Sequence, residues 1–135
     1  DCLLSRGLGD VYKRQVVGDV QGAFDAPLLR RALSNLLGNA TRYARPGSIV
    51  QVGFKAMEED RVLITVTNCG DMIDPEILPH FFDRFFRADP ARSHGQSNHG
   101  LGLAIVGAIA RMHQGKPVAW SDSGVTSVGM EISAN

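Results

Sequence analysis

The sequence predicts a two-layer α+β sandwich, a mixed and mostly antiparallel sheet of about five strands covered on one face by about three helices. Three observations carry that prediction. Apolar residues recur at helical spacing over residues 28–40 and again over 101–112. Period-two alternation comes in paired runs joined by short polar turns, the pattern of hairpins. The order along the chain is strand, helix, hairpin, polar loop, helix, hairpin, with no internal repeat and no interdomain linker. With 135 residues, 44% of them hydrophobic, the chain suits one domain around one core.

Each element has its own local reason. Residues 1–15 lack periodicity, and Asp10-Val11-Tyr12-Lys13-Arg14-Gln15 resembles a translated sequencing-adapter tail, so the functional domain is read as 16–135. A short strand is expected over 16–20. Asp25-Ala26-Pro27 opens a helix, with Asp25 as cap and proline in the first turn. Leu28, Leu29, Ala32, Leu33, Leu36, Leu37 and Ala40 form its buried stripe, and Arg45-Pro46-Gly47-Ser48 stops it. Strands over 49–57 and 62–67 flank the turn Glu58-Glu59-Asp60-Arg61. Asp74-Pro75-Glu76 starts a short helix, and Phe81, Phe82, Phe85 and Phe86 are expected to bury together behind it. Residues 88–99 form a polar loop of the kind that serves as a lid. The apolar helix after it stops near His113-Gln114-Gly115. Strands over 118–121 and 126–132 close the chain around Asp122-Ser123-Gly124.

Bulk properties remove several function classes. Lys plus Arg equals Asp plus Glu at 14 each, so no global field draws the chain to nucleic acid or to an anionic membrane. No apolar run approaches the ~20 residues of a membrane span, and no leader resembles a signal peptide. Cys2 and Cys69 match neither a disulfide framework nor a metal-site spacing. A cytoplasmic setting is the simplest expectation.

Two local features point to phosphate chemistry. Gly100-Leu101-Gly102-Leu103 runs from the polar loop into an apolar helix, and such a glycine-led helix start is either an anion cradle or a tight packing turn. Asn35, Asn39 and Arg42 stack at i, i+4 and i+7 on a face distinct from the apolar stripe, either as ligands or as solvated decoration.

Taken in order, these segments resemble the catalytic and ATP-binding domain of bacterial sensor histidine kinases. Asn35-Leu36-Leu37-Gly38-Asn39-Ala40-Thr41-Arg42-Tyr43 is similar to the N box, and Asn68-Cys69-Gly70 with Ile73 to the first glycine box. Phe82-Asp83-Arg84-Phe85-Phe86-Arg87 is similar to the F box. Gly100-Leu101-Gly102-Leu103-Ala104-Ile105-Val106 is similar to the second glycine box, and Gly124-Val125-Thr126 to the small box after it. The resemblance implies the Bergerat ATP-binding fold with an ATP lid, and ATP with Mg²⁺ as cofactors.

It implies the residue roles too. Asn39 would be the metal ligand, Asn35 would support phosphate or metal, and Arg42 would meet the phosphates. Tyr43, Asn68, Gly70, Ile73 and Thr126 would line the nucleotide. Arg84 and Arg87, with Arg92, would contact phosphate, dock a partner domain or form surface ion pairs. Gly100, Leu101, Gly102 and Leu103 would cradle the triphosphate. The sequence departs from the family at Asn68, where an aspartate is usual, and at Met72 and Asn98, where glycines are usual. Asn-x-Gly is similar to the subgroup containing metal-responsive sensor kinases.

Partners follow from the same resemblance: a histidine-bearing dimerisation domain of the full-length kinase, the response regulator indirectly, and a membrane-bound parent. No His-Glu-x-x-x-Pro acceptor occurs here, since His80, His94, His99 and His113 sit in other contexts. The ATP-hydrolysing branch of the fold carries a glutamate where this chain has Asn35, and an amide cannot accept a proton near neutral pH. The alternatives left are a nucleotide- or partner-binding module without phosphotransfer, and a serine-kinase anti-sigma factor.

Overall fold

The computed structural model describes residues 13–18, 20–71, 73–86 and 102–135. The elements are β1 (Lys13–Val17), α1 (Ala26–Tyr43), β2 (Ile49–Met57), β3 (Arg61–Cys69), α2 (Gly102–Met112), β4 (Lys116–Asp122) and β5 (Val125–Ser133), with a single 3-10 turn at Leu78–His80. The five strands form one sheet in the order β1-β2-β3-β5-β4. β1 runs parallel to β2, with α1 as the crossover, and every other pairing is antiparallel.

Alternation along β3 and β5 sets the core. Val62, Ile64 and Val66 face Ile132, Met130 and Val128 across the ladder, and all six are buried. Ala32, Leu36 and Ala40 of α1 and Val106, Ile109 and Ala110 of α2 cover this face. Asp25 caps α1, its Oδ1 accepting from the Leu28 N–H at 3.1 Å. The helix ends at Ala44, whose extended backbone leads into Arg45-Pro46. The two helices are also tied end to end: His113 Nε2 accepts from the Asp25 N–H at 3.2 Å, while Nδ1–H donates to the Ile109 carbonyl at 3.0 Å. Both bonds hold in the neutral Nδ1–H tautomer.

The structure differs from the sequence expectation at four places. β1 lies at Lys13–Val17 rather than 16–20, because Gly18 turns out of the strand at φ +92° and a Cβ there would fall on the Phe54 carbonyl. The short helix expected after Asp74 is a turn followed by the 3-10 turn, so the described residues hold two α-helices. Pro79 sits inside that turn, has no N–H and cannot extend an α-helical ladder. Phe81 is buried and Phe82 and Phe86 are half-buried, but Phe85 stands 62% exposed at φ +65°. Finally, α2 ends in a Schellman arrangement whose left-handed residue is Gln114 at φ +58°, not Gly115. The Gly115 N–H bonds the Ala110 carbonyl and the Gln114 N–H the Arg111 carbonyl. Glycine is needed one position later, where a Cβ would collide with the Glu131 carbonyl.

Leu36 has no exposed surface, so Leu36→Ala is expected to cost about 2–5 kcal/mol of unfolding free energy. Met57, at 40% exposed, is expected to tolerate Met57→Ala within about 0.5 kcal/mol. Paired urea titrations check both.

Candidate functional site

The apolar ladder between β3 and β5 stops at one end with a polar pair. Asn68 faces Thr126 across the two strands, on the same side of the sheet as Val66 and Val128. Asn68 is 3% exposed, and its side-chain amide makes no hydrogen bond to another described residue. A buried amide without a partner costs about 1–3 kcal/mol, which makes Asn68 a candidate contact for a bound group. Thr126 is also buried, and its hydroxyl shares a 2.9 Å hydrogen bond with Ser121 on β4.

Three chain segments are stitched together around this pair. The Arg45 N–H donates to the Cys69 carbonyl at 2.6 Å, joining the end of α1 to the end of β3. The Gly70 N–H donates to the Gly124 carbonyl at 2.9 Å, joining β3 to the β4–β5 turn. Gly70 itself packs against the Tyr43 carbonyl so closely that a Cβ would overlap it. The close approach that requires glycine here is thus backbone against backbone, and it fixes Tyr43 beside Asn68. Gly124 takes φ +81°, the conformation that glycine adopts freely.

The face of α1 leads from this corner to the start of α2. Asn39 and Arg42 are half-buried on the last two turns, Arg42 being the basic residue of the final turn. The Asn39 amide makes no hydrogen bond to another described residue. One turn earlier, Asn35 Nδ2 donates to the carbonyl of Gly102, the first residue of α2, at 3.2 Å. The partial positive charge at the start of an 11-residue helix therefore lies next to the asparagine face. Ile73 and Leu103 are half-buried against the core. Arg84 is exposed, with its guanidinium 5.4 Å from the Phe85 ring centroid, a cation–π contact. Arg87, Gly100 and Leu101 lie outside the described residues, as do Met72, Arg92, His94, Asn98 and His99.

Three participants were not singled out from the sequence: Ser121, and the carbonyls of Tyr43 and Gly102. Ser121 and Thr126 are cross-strand partners in a hairpin, a relation that follows once its register is known. Backbone carbonyls leave no residue-type signal.

Residues 24–133 match the family model described as histidine kinase-, DNA gyrase B-, and HSP90-like ATPase. The chain is 46% identical over 110 residues to the sensor histidine kinase CusS of Escherichia coli, covering 81% of this chain and 23% of that protein. It is 46% identical over 106 residues to the sensor histidine kinase TrcS of Mycobacterium tuberculosis, covering 76% of this chain and 21% of that one. The chain thus spans less than a quarter of the length of these curated relatives. Among solved structures, the mycobacterial sensor histidine kinase MprB superposes with a TM-score of 0.74 at 27% identity, over 90% of this chain and 80% of the other.

The glycine at position 70 separates from one that only lowers helix propensity. Gly70→Ala is expected to destabilise by about 1–3 kcal/mol through the collision with Tyr43. Gly38→Ala, in α1 with open space around the added Cβ, is expected to stabilise by about 0.5–1 kcal/mol. Shifts of the denaturation midpoint in opposite directions check the pair.

Proposed function

The chain belongs to the histidine kinase-, DNA gyrase B- and HSP90-like ATPase family, and we propose that it is the kinase core of a two-component signalling protein. In this reading residues 16–135 bind Mg-ATP and transfer the γ-phosphoryl group to a histidine on a separate dimerisation domain of the same protein. A response regulator would receive the group from that histidine. The parent protein is read as membrane-bound with this domain in the cytoplasm; among the described residues no helix is long and apolar enough to cross a membrane.

The buried amide of Asn68, without a hydrogen-bond partner among the described residues, carries the nucleotide part of the reading. Adenine presents an amino donor beside a ring-nitrogen acceptor, and an asparagine amide offers the matching acceptor and donor. Thr126 stands opposite, and the Gly70 contact brings the Tyr43 backbone close to Asn68, so the Tyr43 ring is assigned to the base. Asn68 thus supplies the adenine contact where the family usually has aspartate.

The asparagine face fits a magnesium ion. Mg²⁺ takes few protein oxygens and keeps water and phosphate as its other ligands, so the Asn39 amide oxygen, which bonds no other described residue, meets the need. The ion, when bound, neutralises charge on the β- and γ-phosphates. Arg42 adds a charge-assisted donor, and the first amides of α2, from Gly102 and Leu103 with Gly100 and Leu101 before them, hold phosphate oxygens. Arg84 and Arg87 are assigned to phosphate or to the docked acceptor domain. Phosphoryl transfer asks mainly for such positioning and charge neutralisation. Water activation would need a base at residue 35, and an amide is none.

The decisive experiment supplies the missing substrate. The intact chain, given radiolabelled Mg-ATP and a dimeric helical acceptor domain bearing the histidine, is expected to yield phosphohistidine. ATP binding without any label on the acceptor would leave a nucleotide-binding module, and label on serine would point to an anti-sigma kinase. Asn39→Ala is expected to weaken nucleotide affinity in magnesium at least tenfold (~1.4 kcal/mol) while the thermal melt is unchanged. Calorimetric titrations with and without EDTA check this.

A further inference from the structure

The amide of Asn35 has a fixed orientation. Its Nδ2 lies 3.2 Å from the Gly102 carbonyl oxygen, and a carbonyl can only accept, so the NH₂ faces α2 and Oδ1 faces away from it. Burial along the two helices explains what this bond does. Asn35 stands beside Leu36 and three residues after Ala32, both without exposed surface, so its backbone is held rigidly on the core. In α2 the buried residues are Val106, Gly107, Ile109 and Ala110, whereas Gly102, Leu103, Ala104 and Ile105 are only half-buried. Packing therefore grips the middle of α2 most firmly, while its first turn has only the partial burial of Leu103 and Ile105 against the core. The Asn35 bond is what ties that first turn to α1 among the described residues.

We propose that Asn35 is a positioning residue that holds the first turn of α2 in place through the Gly102 carbonyl, rather than a ligand of metal or phosphate. Its reach to the nucleotide rests on the kinase reading above, because the α2 amides it steadies are those assigned to the phosphates. The bond itself does not depend on that reading.

Two variants of the full 135-residue chain separate the roles. Asn35→Ala removes the donor. Asn35→Asp keeps the shape but sets a carboxylate, which only accepts, against a carbonyl. Without nucleotide, hydrogen exchange at Val106 and Gly107, whose helical acceptors are the carbonyls of Gly102 and Leu103, is expected to rise about tenfold in both variants at neutral pH. Exchange in β3 and β5 is expected to stay at the wild-type rate, which a general loss of stability would not allow. On lowering the pH through the ordinary aspartate range to about 3.5, protonation of the new carboxyl gives Asn35→Asp an O–H donor toward Gly102. Its excess exchange over wild type at the same pH is then expected to shrink, while that of Asn35→Ala persists. Wild-type protection at Val106 and Gly107 in both variants would overturn the proposal.

Titration with ADP in magnesium and in EDTA supplies the second readout. Both variants are expected to weaken binding by the same factor in the two buffers. Loss confined to the magnesium buffer in Asn35→Ala, with Asn35→Asp binding as well as wild type, would make Asn35 a metal ligand and overturn the proposal. Absence of ADP binding by the wild-type chain would sink the kinase reading instead, with the exchange result still deciding the bond.

Discussion

The register between β3 and β5 is the constraint on which the rest of the site depends. Side chains alternate across a sheet, so a slip of one residue would turn Val62, Ile64 and Val66 out of the core and Asn68 with them. Three apolar cross-strand pairs, all buried beneath α1 and α2, make that slip costly. The same ladder that stabilises the sandwich thus delivers Asn68 and Thr126, the last pair on its inward face, to the inside of one end. The cost of burying an amide without a partner among the described residues is carried by the apolar pairs before it.

Placement of the helices over that end relies on contacts between backbones. Gly70 admits the Tyr43 carbonyl, and the Arg45 N–H reaches the Cys69 carbonyl, so the end of α1 cannot shift along β3 without losing both. At the opposite end, Gly115 admits the Glu131 carbonyl, and the Ser133 N–H bonds the His113 carbonyl, which fixes where α2 stops. His113 then ties that stop to the cap of α1. The two helices are held as a pair at one end by His113 and at the other by Asn35, with close packing between. A glycine in a segment proposed to contact nucleotide can therefore be dictated by the chain itself, as Gly70 is.

How much of this was legible in the sequence follows from how local each determinant is. The bounds of β2 and the Asp25 cap of α1 are set by nearest neighbours, alternation in one case and a cap before proline in the other, and both could be read directly. The inward face of Asn68 was legible in principle by continuing Val62, Ile64 and Val66 by two. The end of β1, the left-handed Gln114 and the exposure of Phe85 were not, because each answers to something distant or to backbone geometry. Gly18 yields to Phe54, and Gly115 yields to Glu131 and so pushes the left-handed role onto Gln114. Apolar character placed Phe85 with its neighbours, but at φ +65° its ring is out in solvent under Arg84. The expected third helix failed on Pro79, which serves a helix start and equally an isolated turn.

Residue 35 shows how a motif position can be clear by type while its role admits two readings. Set beside Asn39 on one helix face, it invites the assignment of both asparagines to metal and phosphate. The structure separates them by their hydrogen bonds: Asn39 keeps its amide uncommitted among the described residues, while the Asn35 NH₂ is held by Gly102. Those two states suit different work. A tie must already be bonded in the empty protein, as the Asn35 NH₂ is, whereas the amide oxygens of both asparagines make no hydrogen bond to another described residue. A carboxylate at position 35 would repel the Gly102 carbonyl and would also be a base for water. The amide avoids both, so under the proposed reading one residue would both steady the start of α2 and withhold a base from water.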